Sequence, residues 1–296
     1  MLKLSRFFFC AGACFGALAT AHAQLNIRVV ETFDYGTGNS TTPHGINNLT
    51  QVIGTAVDSS GATHSFLRLP NESFKHVASF NEADLVFARG LNNNQVFCGY
   101  INVYFPGYYG YYQEGKRTTT VGFGANGANT YFFGINDDGD LAGSFQAMDS
   151  NTRVGKHSID TIYYDVTIGR SPYVDANAIN NSGAVVGEYY DAAPSTSYHG
   201  YLLDERGRKI YPIDYPGAAS TTLLGINNND LMVGEWLDDA GVKHGLLFKQ
   251  PSTFVSFDYP GATATSLAGI NDSSIICGNY TDGSGVNHGI IAKVTR

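Results

Sequence analysis

The amino-acid sequence predicts an all-β protein, a six-bladed β-propeller with four antiparallel strands in each blade. Three observations support this fold class. A short motif recurs six times at intervals of 44–47 residues, a spacing typical of repeat architectures. Each interval divides into short apolar runs separated by Asn, Asp, Gly or Pro. The N-terminal segment supplies the one run that the last interval lacks.

The recurring motif is Gly or Ala, then an aliphatic residue, then Asn. Its copies are Gly45-Ile46-Asn47, Gly90-Leu91-Asn92, Gly134-Ile135-Asn136, Ala178-Ile179-Asn180, Gly225-Ile226-Asn227 and Gly269-Ile270-Asn271. An Asn side chain at a strand end fixes a tight turn by bonding nearby backbone. A residue that is present in every repeat is expected to be needed for the fold of that repeat. We therefore interpret the asparagines as scaffold and look for functional residues where the repeat pattern breaks.

The fifth repeat shows the strands of one blade most clearly. Its apolar runs cover residues 221–226, 230–237, 244–249 and 253–259, and Pro260-Gly261 turns the chain into the next repeat. Each run has strand length and is rich in β-branched or aromatic residues. We expect these four runs to form one antiparallel blade.

The two ends of the chain predict how the ring closes. The last repeat stops after its third run, and residues 27–35 match the fourth run of the fifth repeat at 253–259. We expect the N-terminal strand to complete the last blade, which removes the exposed edges that an open sheet would leave.

Residues 1–23 are predicted to be a signal peptide. Lys3 and Arg6 precede an apolar stretch too short to cross a bilayer, and Ala21-His22-Ala23 offers small residues at a cleavage site. The mature chain, residues 24–296, is predicted to be a single propeller domain. It is expected to be secreted or periplasmic, monomeric, and not inserted into a membrane.

Charge excludes one class of partner. The chain has 26 acidic and 18 basic side chains, a net charge of −8, and no cluster of Lys and Arg. Nucleic acids and anionic membranes are bound through basic patches. We therefore expect no nucleic-acid partner.

The motifs of the fifth repeat resemble the extracellular repeat family often called HAF. The resemblance lies in Gly225-Ile226-Asn227-Asn228, in Val233-Gly234 and in His244-Gly245-Leu246-Leu247. Similar histidine motifs begin at His64, His199 and His288, while the second repeat lacks the histidine. The family has no established activity. The resemblance therefore implies an exported bacterial β-repeat protein and supplies no catalytic residue.

Two recurrent polar patterns have structural explanations. Asp-x-x-Gly-x-x-His occurs at Asp58/Gly61/His64, Asp238/Gly241/His244 and Asp282/Gly285/His288. An Asp beside a His can serve acid–base catalysis, but Asp first and Gly last is the ordinary type I turn. Residues 136–140 resemble a calcium loop, yet Leu141 occupies the position where that loop needs glycine. We predict bridging turns, no metal site and no cofactor.

The repeat breaks most strongly at residues 101–113, where tyrosines replace the Asp and His. We predict a link between two strands there, on the same face as the Asp-Tyr turns that join the blades. Flat aromatic faces beside carboxylates suit sugar rings, although tyrosines can also simply pack together. The candidate ligand-binding residues are Tyr104, Tyr108, Tyr109, Tyr111, Tyr112, Tyr35, Tyr215 and Tyr259.

Three functions are consistent with the sequence. The favoured one is an exported, non-catalytic module that binds a glycan or a cell-surface partner. The first alternative is a hydrolase or lyase acting on a polysaccharide or small metabolite at the channel mouth, with Asp149, His157 and Arg170 as candidates. The second is a structural protein of the envelope or matrix. No linear catalytic motif is present, so the sequence favours binding over catalysis without deciding between them.

Overall fold

The chain folds as a β-propeller of four-stranded antiparallel sheets around a central channel. The structure is a computed structural model that describes residues 25–36, 40–77, 85–103, 107–122, 129–146, 152–158, 161–166, 168, 171, 173–191, 197–206 and 209–296. For residues 103, 146, 152–158 and 161–166 it describes the backbone alone. The predicted signal peptide lies outside this range, and that prediction stands untested.

Strands pair in chain order within five of the sheets. The first two sheets contain β2 (Ser40–Ile46), β3 (Val52–Val57), β4 (Thr63–Arg68) and β5 (Phe74–His76), then β6 (Leu85–Leu91), β7 (Phe97–Val103), β8 (Gly107–Glu114) and β9 (Arg117–Val121). The next two contain β10 (Thr130–Ile135), β11 (Leu141–Gln146), β12 (Thr152–Ser158) and β13 (Thr161–Val166), then β14 (Tyr173–Ile179), β15 (Val185–Tyr190), β16 (Tyr198–Leu203) and β17 (Ile210–Ile213). The fifth contains β18 (Ser220–Ile226), β19 (Leu231–Leu237), β20 (Lys243–Lys249) and β21 (Thr253–Phe257).

The remaining sheet joins the two ends of the described chain. It contains β22 (Ala264–Ile270), β23 (Ile275–Thr281), β24 (Asn287–Thr295) and, as its outer strand, β1 (Asn26–Phe33). The antiparallel register runs from Asn26 opposite Thr295 to Phe33 opposite Gly289. The N-terminal strand therefore covers the edge that β24 would otherwise expose.

The prediction of six equivalent blades needs correction. Five sheets are regular four-stranded blades, and the sheet β10–β13 departs from them at the connection between its second and third strands. The third repeat lacks the regular Asp-x-x-Gly-x-x-His connection. Its His157 pairs with Leu141, whereas His244 pairs with Trp236 near the opposite end of its sheet. The structure thus establishes five full blades, with a further, irregular sheet in the third repeat.

The tyrosine-rich segment is a second correction. We predicted a surface link between two strands, but residues 107–114 form β8, which pairs with β7 on one side and β9 on the other. The Tyr111 side chain is fully buried. Tyrosines have a high β propensity and favour a strand, and burial of the Tyr111 ring stabilises it.

A β-bulge recurs at one level of the first strand of every sheet. Pairing with the second strand skips the residue just before the repeated Gly or Ala. The skipped residues are His44, Arg89, Phe133, Asn177, Leu224 and Ala268. A bulge re-aims the extra side chain, and all six of these residues line the channel cavity. We call them the bulge residues.

The repeated Val-Gly pair exists because of this bulge. Added to Gly187, a Cβ atom would lie 1.9 Å from the carbonyl oxygen of Asp175 on the bulged strand. At Gly234 the corresponding distance to the Thr222 carbonyl oxygen would be 2.0 Å. Only glycine therefore allows the second strand to approach the bulge this closely.

The six motif asparagines form a closed ring at one end of the channel, which we call the asparagine end. Each side-chain Nδ2 donates to the backbone carbonyl of the next asparagine around the ring. The donor–acceptor pairs are Asn47–Asn92 at 3.1 Å, Asn92–Asn136 at 2.9 Å, Asn136–Asn180 at 3.2 Å, Asn180–Asn227 at 3.3 Å, Asn227–Asn271 at 3.0 Å and Asn271–Asn47 at 3.1 Å. The interpretation of these residues as scaffold is confirmed.

Hydrophobic clusters fill the spaces between neighbouring sheets. One cluster joins Val186 and Leu202 of one blade to Leu223, Met232 and Leu246 of the next. Each such side chain contributes about 1.5–3 kcal/mol when fully buried. Cys98 and Cys277 are buried free thiols, as their apolar positions predict. No helix in the described part of the chain is long and apolar enough to cross a membrane.

Candidate functional site

The central channel is wide at one end and narrow elsewhere. At the level of the bulge residues it holds a cavity of about 270 Å³, which we call the channel mouth. At the level of the repeated glycines the cavity is about 70 Å³, and at the asparagine end it is again about 70 Å³. A small ligand therefore fits at the mouth but meets a constriction below it.

A basic pair occupies one side of the channel mouth. The Nη1 atom of Arg89 lies 3.0 Å from Nδ1 of His44, and its Nη2 donates to the hydroxyl of Tyr100 at 2.8 Å. His44 also contacts the hydroxyl of Thr55 at 2.9 Å through Nε2. Burial, together with the charge of Arg89, holds the pKa of His44 well below its usual value. The imidazole is therefore neutral at pH 7, and Arg89 carries the positive charge.

Acidic groups occupy the other side. Asn177, a bulge residue, donates to the carboxyl of Glu188. Burial and the nearby charge of Asp175 outweigh this hydrogen bond and raise the pKa of Glu188 to about 8. Glu235 pairs with Lys243 at 2.7 Å. An ion pair thus lines the mouth, and behind the lining residue Asn177 lies a carboxyl group that keeps its proton at neutral pH.

An aromatic cavity adjoins the channel mouth. It measures about 410 Å³ and shares Phe133 with the mouth. Its other lining residues are Tyr100, Asn129, Tyr131, Ser144, Phe145, Tyr173 and Asp175. The rings of Tyr131 and Phe133 are nearly parallel, with centroids 6.2 Å apart. Burial raises the pKa of Tyr131 to about 12, so its hydroxyl remains a donor.

Only one of the candidate tyrosines of the second repeat lies at this cavity's edge. The Tyr108 ring is 5.3 Å from that of Tyr131, and its backbone N–H donates to Asn129 at 2.9 Å. Tyr111 is buried, and Tyr109 and Tyr112 pack against hydrophobic clusters. Tyr104 lies outside the described residues.

The other candidate tyrosines pack between blades. Tyr215 stacks on Trp236 with centroids 4.2 Å apart, and Tyr259 stacks on Tyr280 at 3.8 Å. Tyr35 stacks on Phe66 at 5.3 Å. The structure places these three rings on neighbouring aromatic groups, and their role in ligand binding stays a prediction.

The Asp-x-x-Gly-x-x-His turns do form bridges on the outer part of the mouth face. His288 lies 2.9 Å from an oxygen of Asp34 and 3.4 Å from one of Asp282. His244 similarly lies between Asp258, at 2.8 Å, and Asp238, at 3.6 Å. Each histidine therefore ties two connections of one blade together, which is the structural role predicted for it.

The side chains of the candidates for the enzymatic alternative lie outside the part of the chain that the structure describes. Asp149 and Arg170 lie outside the described residues, and only the backbone of His157 is described. The calcium-like segment is an Asn turn in which Asp140 N–H donates to Asn136 Oδ1 at 2.8 Å. Within the described residues, no group of three or more His, Cys, Asp or Glu side chains is arranged to hold a metal ion.

The bulge residues themselves escaped the sequence analysis, although a signal was present. They occupy the position immediately before the repeated Gly or Ala, where the six copies carry six different amino acids. Variation beside an invariant motif marks a position that the repeat leaves free. Its meaning depends on the bulge, which the sequence alone does not reveal.

Comparison with known proteins shows the fold and no family. No protein-family model matches the chain, and no curated protein matches it. A protein of unknown function from Dyadobacter fermentans is 10% identical, with a TM-score of 0.59 over 91% of this chain and 99% of that one. SapL1 lectin, in complex with alpha methyl fucoside, is 10% identical, with a TM-score of 0.54 over 83% and 90%. Virginiamycin B lyase from Staphylococcus aureus is 10% identical, with a TM-score of 0.51 over 90% and 99%. At such low identity these similarities show a common β-propeller fold alone.

Proposed function

We propose that this protein binds a glycan at the channel mouth and in the aromatic cavity beside it. The observation that carries the proposal is the aromatic cavity, in which the rings of Tyr100, Tyr131 and Phe133 adjoin the polar groups of Ser144 and Asp175. Sugar rings present apolar C–H faces to aromatic groups and hydroxyls to polar ones. The similarity in fold to SapL1 lectin supports a sugar as the ligand class.

The proposal is tested by selecting a ligand on a glycan array and measuring its affinity by calorimetry. Tyr131→Ala removes a ring from the cavity and is expected to weaken binding at least tenfold, about 1.4 kcal/mol or more. Tyr211→Ala is the matched control, because Tyr211 is 46% exposed on the outer strand β17. If no glycan binds, or if both variants bind as tightly as the wild type, the proposal is wrong.

A second candidate is a hydrolase or lyase acting on the same saccharide. One observation favours it: the carboxyl of Glu188, which accepts a hydrogen bond from Asn177 at the channel mouth, keeps a proton near neutral pH, as a general acid must. Turnover of a polysaccharide panel that is abolished in Glu188→Gln would favour this candidate. Binding without turnover would favour the non-catalytic binding module over the enzyme.

We also propose that the protein is exported, either to the periplasm or to the medium, and that it belongs with the HAF-type repeats it resembles. The leader of residues 1–23 supports export. Mass spectrometry of the protein recovered from cell fractions tests it. A mature product that lacks these residues is expected outside the cytoplasm, and an uncleaved cytoplasmic product would contradict it.

A further inference from the structure

Arg89 is a partly buried cation with only neutral partners among the residues that the structure describes. It contacts the His44 ring and the Tyr100 hydroxyl, and its guanidinium lies 5.4 Å from the Tyr100 ring centroid. Its Nε is buried without a hydrogen-bond partner. Removing a charge from water is costly unless an opposite charge or strong acceptors compensate it.

The described acids in and beside the channel mouth already have hydrogen-bond or ion-pair partners. Glu235 is paired with Lys243. Glu188 accepts a hydrogen bond from Asn177 and holds a proton near neutral pH. Asp175 accepts a hydrogen bond from Tyr173. Arg89 therefore lines the cavity with a positive charge, and its guanidinium retains N–H groups that can donate to a ligand.

Among the described residues, a fully buried arginine shows the usual solution. Arg68 is 2% exposed, pairs with Glu31 and lies over the Phe33 ring at 4.8 Å. Both arginines are packed against aromatic rings, but only Arg68 has a carboxylate. The difference indicates that the counter-ion of Arg89 is not among the described residues and can be supplied by a bound ligand.

We infer that the saccharide bound at the channel mouth carries an anionic group, a carboxylate or a sulfate ester, which pairs with Arg89. This inference rests on the proposed glycan-binding function and names the ligand class. A planar guanidinium is well matched to oxyanions, because its parallel N–H groups can donate to two oxygens at once. The sugar ring would then lie against Phe133 and Tyr131 in the adjoining cavity.

Calorimetry or NMR titration with glucose, glucuronic acid and glucose 6-sulfate tests this. At least one acidic sugar is expected to bind at least tenfold more tightly than glucose, and the stronger of the two identifies the anion. Arg89→Gln is expected to lower the affinity for that acidic sugar at least tenfold and so to abolish the preference. If wild-type protein binds all three sugars equally, the inference is wrong and glycan binding survives. If none of them binds, the inference is wrong, and the glycan array decides separately whether glycan binding survives.

A second measurement needs no ligand. In thermal denaturation, Arg89→Met is expected to melt at or above the wild-type temperature, because it removes a charge that the free protein does not compensate. Arg68→Met, the matched control, is expected to melt clearly lower, because it leaves Glu31 without its partner. Equal losses of stability in the two variants would make Arg89 a structural cation and overturn the inference.

Discussion

The two ends of the central channel are built in opposite ways. At the asparagine end every repeat contributes the same side chain, and each asparagine satisfies both its own turn and the next repeat. At the channel mouth every repeat contributes a different side chain; Arg89 has no acidic partner among the described residues, and Asn177 contacts the protonated carboxyl of Glu188. The two levels are only a few residues apart on the same six strands.

Within one repeat, the motif asparagine thus belongs to the scaffold and the bulge residue belongs to the candidate site. Positions that close the ring are constrained, because an amide side chain there both accepts from the N–H groups of its own turn and donates to the backbone carbonyl of the next repeat. The bulge residues project out of the ladder and carry no such constraint. A propeller can therefore change what it binds without changing how it folds.

The largest expected effect comes from removing one member of the ring. Asn227→Ala deletes an acceptor for the N–H groups of Asn229 and Leu231 and a donor to the Asn271 carbonyl, all near the channel axis. Leaving buried backbone groups unsatisfied costs about 1–3 kcal/mol each, so we expect a loss of about 3 kcal/mol or more in urea denaturation. Asn228→Ala, in the same turn but exposed, should cost less than half as much. Equal losses would show that the ring is not the scaffold.

A second prediction concerns the pH dependence set by the channel mouth. The pKa of Glu188 is raised to about 8 in the folded state, above about 4.3 in the unfolded chain. The native state therefore holds more protons between these values, and stability falls as pH rises through that window. Glu188→Gln should flatten the decline and raise the melting temperature at pH 8.5 by a few degrees, roughly 1 kcal/mol or more. The exposed control Glu114→Gln should leave the profile unchanged; an unchanged profile in Glu188→Gln would contradict the assignment.

A smaller effect is expected from a bulge residue that holds no charge. Leu224 lines the channel mouth, so Leu224→Ala enlarges an open cavity rather than creating a closed one. We expect a loss of about 1 kcal/mol or less, compared with about 2–5 kcal/mol for the fully buried Leu246→Ala. A loss at Leu224 as large as at Leu246 would mean that the mouth is part of the packed core.

The smallest expected effect lies at the rim. Burial lowers the pKa of His288, but hydrogen bonds to Asp34 and Asp282 outweigh it, and the net pKa is raised. The bridge therefore stabilises fully below the unfolded pKa of about 6.5 and is lost as pH rises through the folded value. His288→Gln should reduce stability at pH 5.5 by about 1 kcal/mol or less, with no difference at pH 9. The exposed His76→Gln is the control, and a His288→Gln effect that grows with pH would be inconsistent with the bridge.

Repetition explains which parts of this structure could be predicted from the sequence. The asparagine turns, the His–Asp bridges and the pairing of the N-terminal strand with the last repeat follow from patterns present several times. The strand Gly107–Glu114 could not be predicted because its tyrosines occur in one repeat only, and the six-fold spacing of the motif led to the prediction of six blades although the third repeat is irregular. The channel mouth was missed because it is assembled from single residues of different sheets, and only their common bulge places them together.

A crystal structure of the mature protein with glucuronic acid tests most directly whether function lies at the variable end of the channel. We predict the sugar at the channel mouth, with its carboxylate within hydrogen-bond distance of Arg89 and its ring against Phe133 and Tyr131. A sugar at the asparagine end or on the outer rim, with the mouth empty, would contradict the account.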